Sequence, residues 1–154
     1  MTVYYFDSSA IVKRYITEVG TGWVIATADV SVGNDILVSL VARVEVPAAI
    51  FKRQREGSIA VADGALAIAD FVSDFSTQYQ PIGVTLQLAE QAASLAGKHG
   101  LRGYDAVQLA TALEASEVRN SLGLSRLIFV SADEALNKAS RTEAVLTDNP
   151  NHHP

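Results

Sequence analysis

Short apolar runs rich in β-branched and aromatic residues alternate along this chain with longer stretches of helical composition. That alternation constrains the fold more than any other feature. Strands separated by helices pair in parallel, with helices on both faces of one sheet. Val3-Tyr4-Tyr5-Phe6 and Leu127-Ile128-Phe129-Val130 are the best-defined strands, and Ile36-Leu37-Val38, Pro81 to Val84 and Ala144-Val145-Leu146 supply three more. Helices are expected over Ala10 to Tyr15, Gly22 to Ala28, Ala60 to Phe75, Leu86 to His99 (closed by Gly100) and Tyr104 to Glu117. The segment Leu40 to Glu56 reads two ways. It is either a helix kinked at Pro47 and stopped by Gly57, or a strand through Ala42, Val44 and Val46 with Pro47 opening a helix. The helix is favoured, because Ala48 to Arg53 continues it well. Ser131 with Glu134 reads as a capping box that opens a last helix.

With 154 residues, 49% hydrophobic and 19% charged, the chain is the size of one domain with a real core and is not disordered. No repeat, low-complexity stretch or linker divides it; residues 1–147 read as the domain and 148–154 as a polar tail. The absence of cysteine excludes disulfides, zinc thiolate sites and cysteine nucleophiles. The N-terminus does not read as a signal peptide and no apolar run approaches a membrane span, so a soluble, cytoplasmic protein is expected. A net charge of −5 argues against bulk electrostatic binding of nucleic acid, but not against a nuclease whose carboxylates hold cations.

In open parallel sheets the ligand site lies beyond the carboxyl ends of the strands. Asp7 follows the first strand and Asp133 follows the Val130 strand, so two strand ends deliver carboxylates to one edge. Glu45, flanked by Val44 and Val46, and Asp105, in Arg102-Gly103-Tyr104-Asp105, complete a set of four acids. Convergent carboxylates raise one another's pKa and persist where a cation offsets the repulsion. Magnesium does so through hard oxygen ligands and retained waters, and such ions support phosphodiester hydrolysis. Each acid also has a structural reading. Asp7 is a good helix N-cap, Asp133 and Asp105 suit the first turn of a helix, and Glu45 could pair with Arg43 or Arg14. Spacing alone leaves both readings open.

Four segments carry a resemblance. VYYFDSSAIVKRY, VARVEVPAAIFKR, LRGYDAVQLATAL and FVSADEALNKAS resemble, in order and interval, the four acidic motifs of PIN-domain ribonucleases, the third most specifically. The likeness runs from Thr2 to the Asp148-Asn149-Pro150 region. It implies an α/β fold of three α/β/α layers with a central parallel sheet. It implies an acidic, metal-binding and catalytic quartet of Asp7, Glu45, Asp105 and Asp133, with Ser9 supporting the first aspartate. It implies endoribonuclease activity dependent on Mg2+ or Mn2+, by direct attack of water. Many bacterial proteins similar to this one are VapC-like toxins of type II toxin–antitoxin systems, so an RNA substrate, a cognate antitoxin and a homodimer are implied as partners.

Other features weigh less. Gly20-Thr21-Gly22 is too short for a dinucleotide fingerprint. His152 and His153 read as solvated tail residues, and His99 as a partner of the last carbonyls of its helix. Lys52, Arg53 and Arg55 read as a solvated face, whereas Lys13, Arg14 and Arg102 lie near acidic motifs and are candidate RNA-phosphate contacts. The apolar run Ile59 to Phe75 suits either core packing or a dimer or antitoxin groove. The rival functions are another acidic-site phosphohydrolase, a non-toxin nuclease, or a catalytically silent binding module. An aspartyl-nucleophile phosphatase wants an acid where Ser9 stands, and a receiver domain wants paired acids where Asp7-Ser8 stands.

Overall fold

In the computed structural model, which describes residues 1–154, the alternation becomes five strands and seven helices. Strand β1 (Val3–Phe6) leads into helices α1 (Ser8–Tyr15) and α2 (Thr21–Thr27), then β2 (Asp35–Ser39). Helices α3 (Ala42–Arg55) and α4 (Val61–Thr77) lead to β3 (Gln80–Ile82). Helices α5 (Leu86–His99) and α6 (Gly103–Ser121) lead to β4 (Ile128–Val130), and α7 (Glu134–Thr142) to β5 (Leu146–Asp148). A short 3₁₀ turn covers Pro150–His152.

The sheet order is β3-β2-β1-β4-β5, and every pairing is parallel. The chain therefore builds outward from β1 in one direction through β3, then crosses back and builds outward in the other. The direction reverses between β1 and β4, and crevices for ligands form at such a reversal. Alternate residues of one strand supply two cores. Phe6, Ile36, Val38 and Val130 face α1 to α4, where Val24, Ile50 and Phe71 close the packing. Tyr5, Leu37 and Phe129 face α5 to α7, where Leu88, Leu109 and Leu136 do the same. The expected three layers are thus present, and both faces of the sheet are covered, as an all-parallel sheet requires.

The helix reading of the Pro47 segment holds. Ala42, Val46 and Ile50 are each fully buried at a spacing of four, which is one face of a helix, while Val44 is exposed. Gly57, at a φ of +76°, ends the helix, and Ser58 N–H reaches back to the Arg53 carbonyl. Pro81 lies inside β3 because β3 is an edge strand, where a missing N–H costs no ladder bond. The last strand starts at Leu146, two residues later than expected. Ala144 takes a left-handed turn at φ +62°, so the segment before Val145 is still closing α7.

The residues from Asp148 onward are no free tail. Asn149 and Pro150 are buried, the former donating to Glu134 Oε1 at 2.5 Å. The His153 ring stacks on Trp23 of α2 with centroids 4.5 Å apart and bonds Asp148 at 2.9 Å. Gly20 makes this contact possible. It has a φ of +86°, and a Cβ there would overlap the Pro150 carbonyl. Gly20→Ala should therefore lower stability by about 2 kcal/mol or more, from the left-handed backbone and the overlap together. Chemical denaturation would read it, and a loss under about 0.5 kcal/mol, the range of an ordinary surface substitution, would show that the contact does not hold the C-terminus.

Candidate active site

Two strand ends meet at the reversal point. The Asp7 backbone N–H donates to the Val130 carbonyl at 3.0 Å, which fixes the exit of β1 against the exit of β4. Asp7 is both a cap and a candidate ligand: its Oδ1 accepts the Ala10 N–H at 2.9 Å, capping α1. The same oxygen accepts the Ser9 hydroxyl at 2.7 Å, and Oδ2 accepts the Ser131 hydroxyl at 2.6 Å. Burial pushes its carboxyl up from 3.8 to about 6, the Ser131 and Ser9 hydroxyls and the Ala10 amide opposing, with the nearby Glu45 charge adding to the rise.

Ser131 does not form the expected capping box. Its hydroxyl is turned to Asp7 and accepts the Asp133 N–H at 3.0 Å, so the cap of α7 falls to Asp133, whose Oδ1 accepts the Leu136 N–H at 3.0 Å. Asn137, also buried, donates to the Ser131 carbonyl at 2.8 Å. Ser9 accepts the Ala132 N–H at 2.9 Å, joining the turn after β4 to the start of α1.

Glu45 lies in the first turn of α3 and makes no ion pair with Arg43 or Arg14. Its Oε1 accepts the Ser8 hydroxyl at 3.0 Å and the Gln108 amide at 2.8 Å. Gln108 is 2% exposed and also accepts the Tyr5 hydroxyl at 2.6 Å, anchoring its amide in the core. Burial raises the Glu45 carboxyl, these two hydrogen bonds oppose it, and Asp105 raises it further. The Asp105 carboxyl is raised by burial and then by Asp133, with Arg102 opposing.

Glu45, Asp105 and Asp133 line one groove of about 810 Å3, together with Arg102 and Tyr104. Asp7 stands buried at the meeting of β1 and β4, close enough to Glu45 for their charges to interact. The donor set is hard oxygen, its charges repel, and Arg102 is the cation on the groove wall. That chemistry fits magnesium or manganese bound with several waters. No three acidic or histidine side chains gather closely enough to hold one ion unaided, so the residues do not fit an ion enclosed by protein alone.

Two of the three candidate phosphate contacts, Lys13 and Arg14, are engaged elsewhere in the fold. Lys13 is 3% exposed, and its ammonium is held by Glu18 at 3.0 Å and the Val19 carbonyl at 2.9 Å. It ties the turn after α1 from inside. Arg14 donates to Gln78 at 2.9 Å and Tyr79 at 3.2 Å and pairs with Asp74 at 3.5 Å, away from the groove. Only Arg102, exposed at the start of α6, remains suitably placed. Arg53, read as solvated, pairs with Glu18. His99 bonds Glu143 at 2.6 Å rather than helix carbonyls, bridging α5 to the end of α7.

Gln108, Ser8 and Ser131 are the supports that the sequence reading missed. Ser131 directly follows a strand, and Gln108 is a polar residue three positions beyond Asp105 in an otherwise apolar helix stretch, so both left a signal.

Comparison with known proteins agrees with this architecture. Over 96% of its length the fold matches VapBC2 from Rickettsia felis bound to a DNA fragment from their promoter, at a TM-score of 0.61, 12% identity and 98% of that chain. It matches PAE2754 from Pyrobaculum aerophilum at 0.59, with 15% identity over 96% of this chain and 90% of that one. It matches FitAcB from Neisseria gonorrhoeae at 0.58, with 14% identity over 98% and 99%. These likenesses establish a shared α/β fold. In sequence, the chain is 39% identical over 114 residues to ribonucleases VapC45 and VapC49 of two Mycobacterium tuberculosis strains, covering 73% of this chain and 76% of each relative. No protein-family model matches. The chain belongs to the VapC ribonuclease family. No helix is long and apolar enough to cross a membrane.

Proposed function

We propose that the protein is a metal-dependent endoribonuclease and the toxin of a toxin–antitoxin pair. The observation that carries the catalytic reading is the placement of Glu45, Asp105 and Asp133 on one groove, with Asp7 behind them where the sheet reverses direction. The VapC relatives, named as ribonucleases, support RNA as the substrate. Magnesium or manganese, held by these carboxylates, would neutralise charge at the scissile phosphate and at an attacking water. The protein's own part is orientation. Ser9 and Ser131 fix both oxygens of Asp7, and Ser8 and Gln108 fix Glu45. Groups fixed in advance of the reaction cost no reorganisation when charge develops. Arg102, beside Asp105, offers a guanidinium to an RNA phosphate. An antitoxin and a second copy of the chain are the expected protein partners.

The test is incubation of partner-free protein with labelled structured RNA and magnesium or manganese, alongside EDTA and the Asp105→Asn variant. Cleavage that needs metal and disappears in the variant is the expected result; cleavage that survives the substitution rules the site out. Arg102→Ala should weaken RNA binding and reduce the slope of log affinity against log salt by about 1. Filter binding across a salt series reads this, and an unchanged slope removes Arg102 from the interface.

A further inference from the structure

The groove that holds three of the acids has a second lining of different chemistry. Ala89, Ala93 and Ala96 come from α5 at spacings of four and three, which puts them on one helix face. Ala89 and Ala93 are exposed, and Leu88, Ala92 and Leu95 beside them are the buried row of that helix. The small methyl groups keep the space open where larger side chains would fill it. Tyr104, from the first turn of α6, is 58% exposed and belongs to the same lining, next in sequence to Asp105.

We propose that this alanine-and-tyrosine part of the groove receives an unpaired nucleobase of the RNA substrate, next to the phosphate engaged by Arg102, with Tyr104 stacking on it. The inference rests on the ribonuclease reading and extends it to substrate selection. Continuity identifies the occupant. A phosphate paired with Arg102, beside Asp105, carries its nucleoside into the adjoining space, and that space is apolar and bordered by an aromatic ring. Aromatic rings bind single-stranded bases by stacking, with little regard to sequence. Methyl groups offer no donors or acceptors for a base edge, so this wall selects for an unpaired base rather than for a particular one. A duplex keeps its bases stacked and paired and cannot deliver one into the groove.

The test measures binding apart from hydrolysis. All proteins carry Asp7→Asn, which removes a candidate metal ligand that does not line the groove. Fluorescein-labelled single-stranded A, C and U oligomers about 12 nucleotides long, and a duplex of the same length, are titrated by anisotropy in magnesium. Single strands should bind more tightly than duplex. Tyr104→Leu and Ala93→Phe should each weaken single-strand binding about tenfold, leave duplex binding unchanged, and Tyr104→Phe should retain the affinity. Equal losses on duplex and single strand, no loss in Tyr104→Leu, or no single-strand binding at all (as when a second copy covers the groove) would each overturn the proposal. Tyr104→Leu decides the matter even if Ala93→Phe fails to fold. With Asp7 intact, RNA cleavage unaltered by Tyr104→Leu would remove the base site and leave the ribonuclease reading standing. Tyr104-dependent binding without any cleavage by the native chain would do the reverse.

Discussion

Asp7→Asn should abolish RNA cleavage while making the metal-free protein more stable. If Asp7 holds the metal as proposed, its loss is worth several kcal/mol of transition-state stabilisation, which is roughly a thousandfold in rate. The gain in stability follows from burial. The folded state holds the Asp7 proton up to pH about 6, whereas the unfolded chain releases it near 3.8. Between those values the folded state binds more protons, so its stability falls as pH rises, and levels off above pH 6. The total is on the order of 3 kcal/mol. Asparagine carries no charge to bury, and its amide retains partners in the Ser9, Ala10 and Ser131 groups. In EDTA at pH 7.5 the variant should melt several degrees above the native protein, and the gap should narrow toward pH 4.5. Added magnesium should stabilise the native protein more than the variant, because only the native chain presents the full set of carboxylates. A variant that melts lower at both pH values would show that the Asp7 charge carries no burial cost.

Gln108→Leu should damage fold and activity together. The side chain joins three groups that lie far from it in sequence: it accepts from Tyr5 and donates to Ser8 and Glu45. Leucine has a similar volume but leaves these groups short of a partner. Each unsatisfied buried group costs about 1–3 kcal/mol, so a loss of about 2–4 kcal/mol is expected. Without the amide, one of the two hydrogen bonds opposing the rise of the Glu45 carboxyl is gone, and its pKa moves further up. RNA cleavage should fall about tenfold near neutral pH and recover in part as pH rises. Denaturation and a pH–rate profile check the two halves. A variant with the native pH profile would leave Gln108 as a stability residue with no part in positioning Glu45.

What could be read before the structure, and what could not, follows the range of the interactions. Helix α5 was bounded on both sides by local chemistry, opening at Leu86 and closing at Gly100 with its left-handed φ of +65°. Tyr5 and Phe6 announced a strand buried on both faces. The exit of that strand and of the Val130 strand placed Asp7 and Asp133 on one edge by topology alone. The misses were decided by tertiary contact. Local sequence allows Ser131 to cap a helix, but a buried carboxylate 124 residues away takes its hydroxyl. Lys13 looked available because lysines are seldom buried, yet Glu18 and a carbonyl satisfy it within the fold. His153 looked solvated because its neighbours are polar, and nothing local shows that Trp23 lies under it.

The bond between Ser131 and Asp7 has a consequence for biosynthesis. A chain emerging from the ribosome presents Asp7 long before its second buttress, which lies 124 residues later, and before the second of the two strands beside β1 and the acid at the head of α7. Until β4 pairs with β1, the groove lacks Asp133, and Asp7 has its local partners Ser9 and Ala10 but nothing on its second oxygen. The site therefore cannot assemble before β4 has been made, and its assembly is tied to the pairing of β4 with β1.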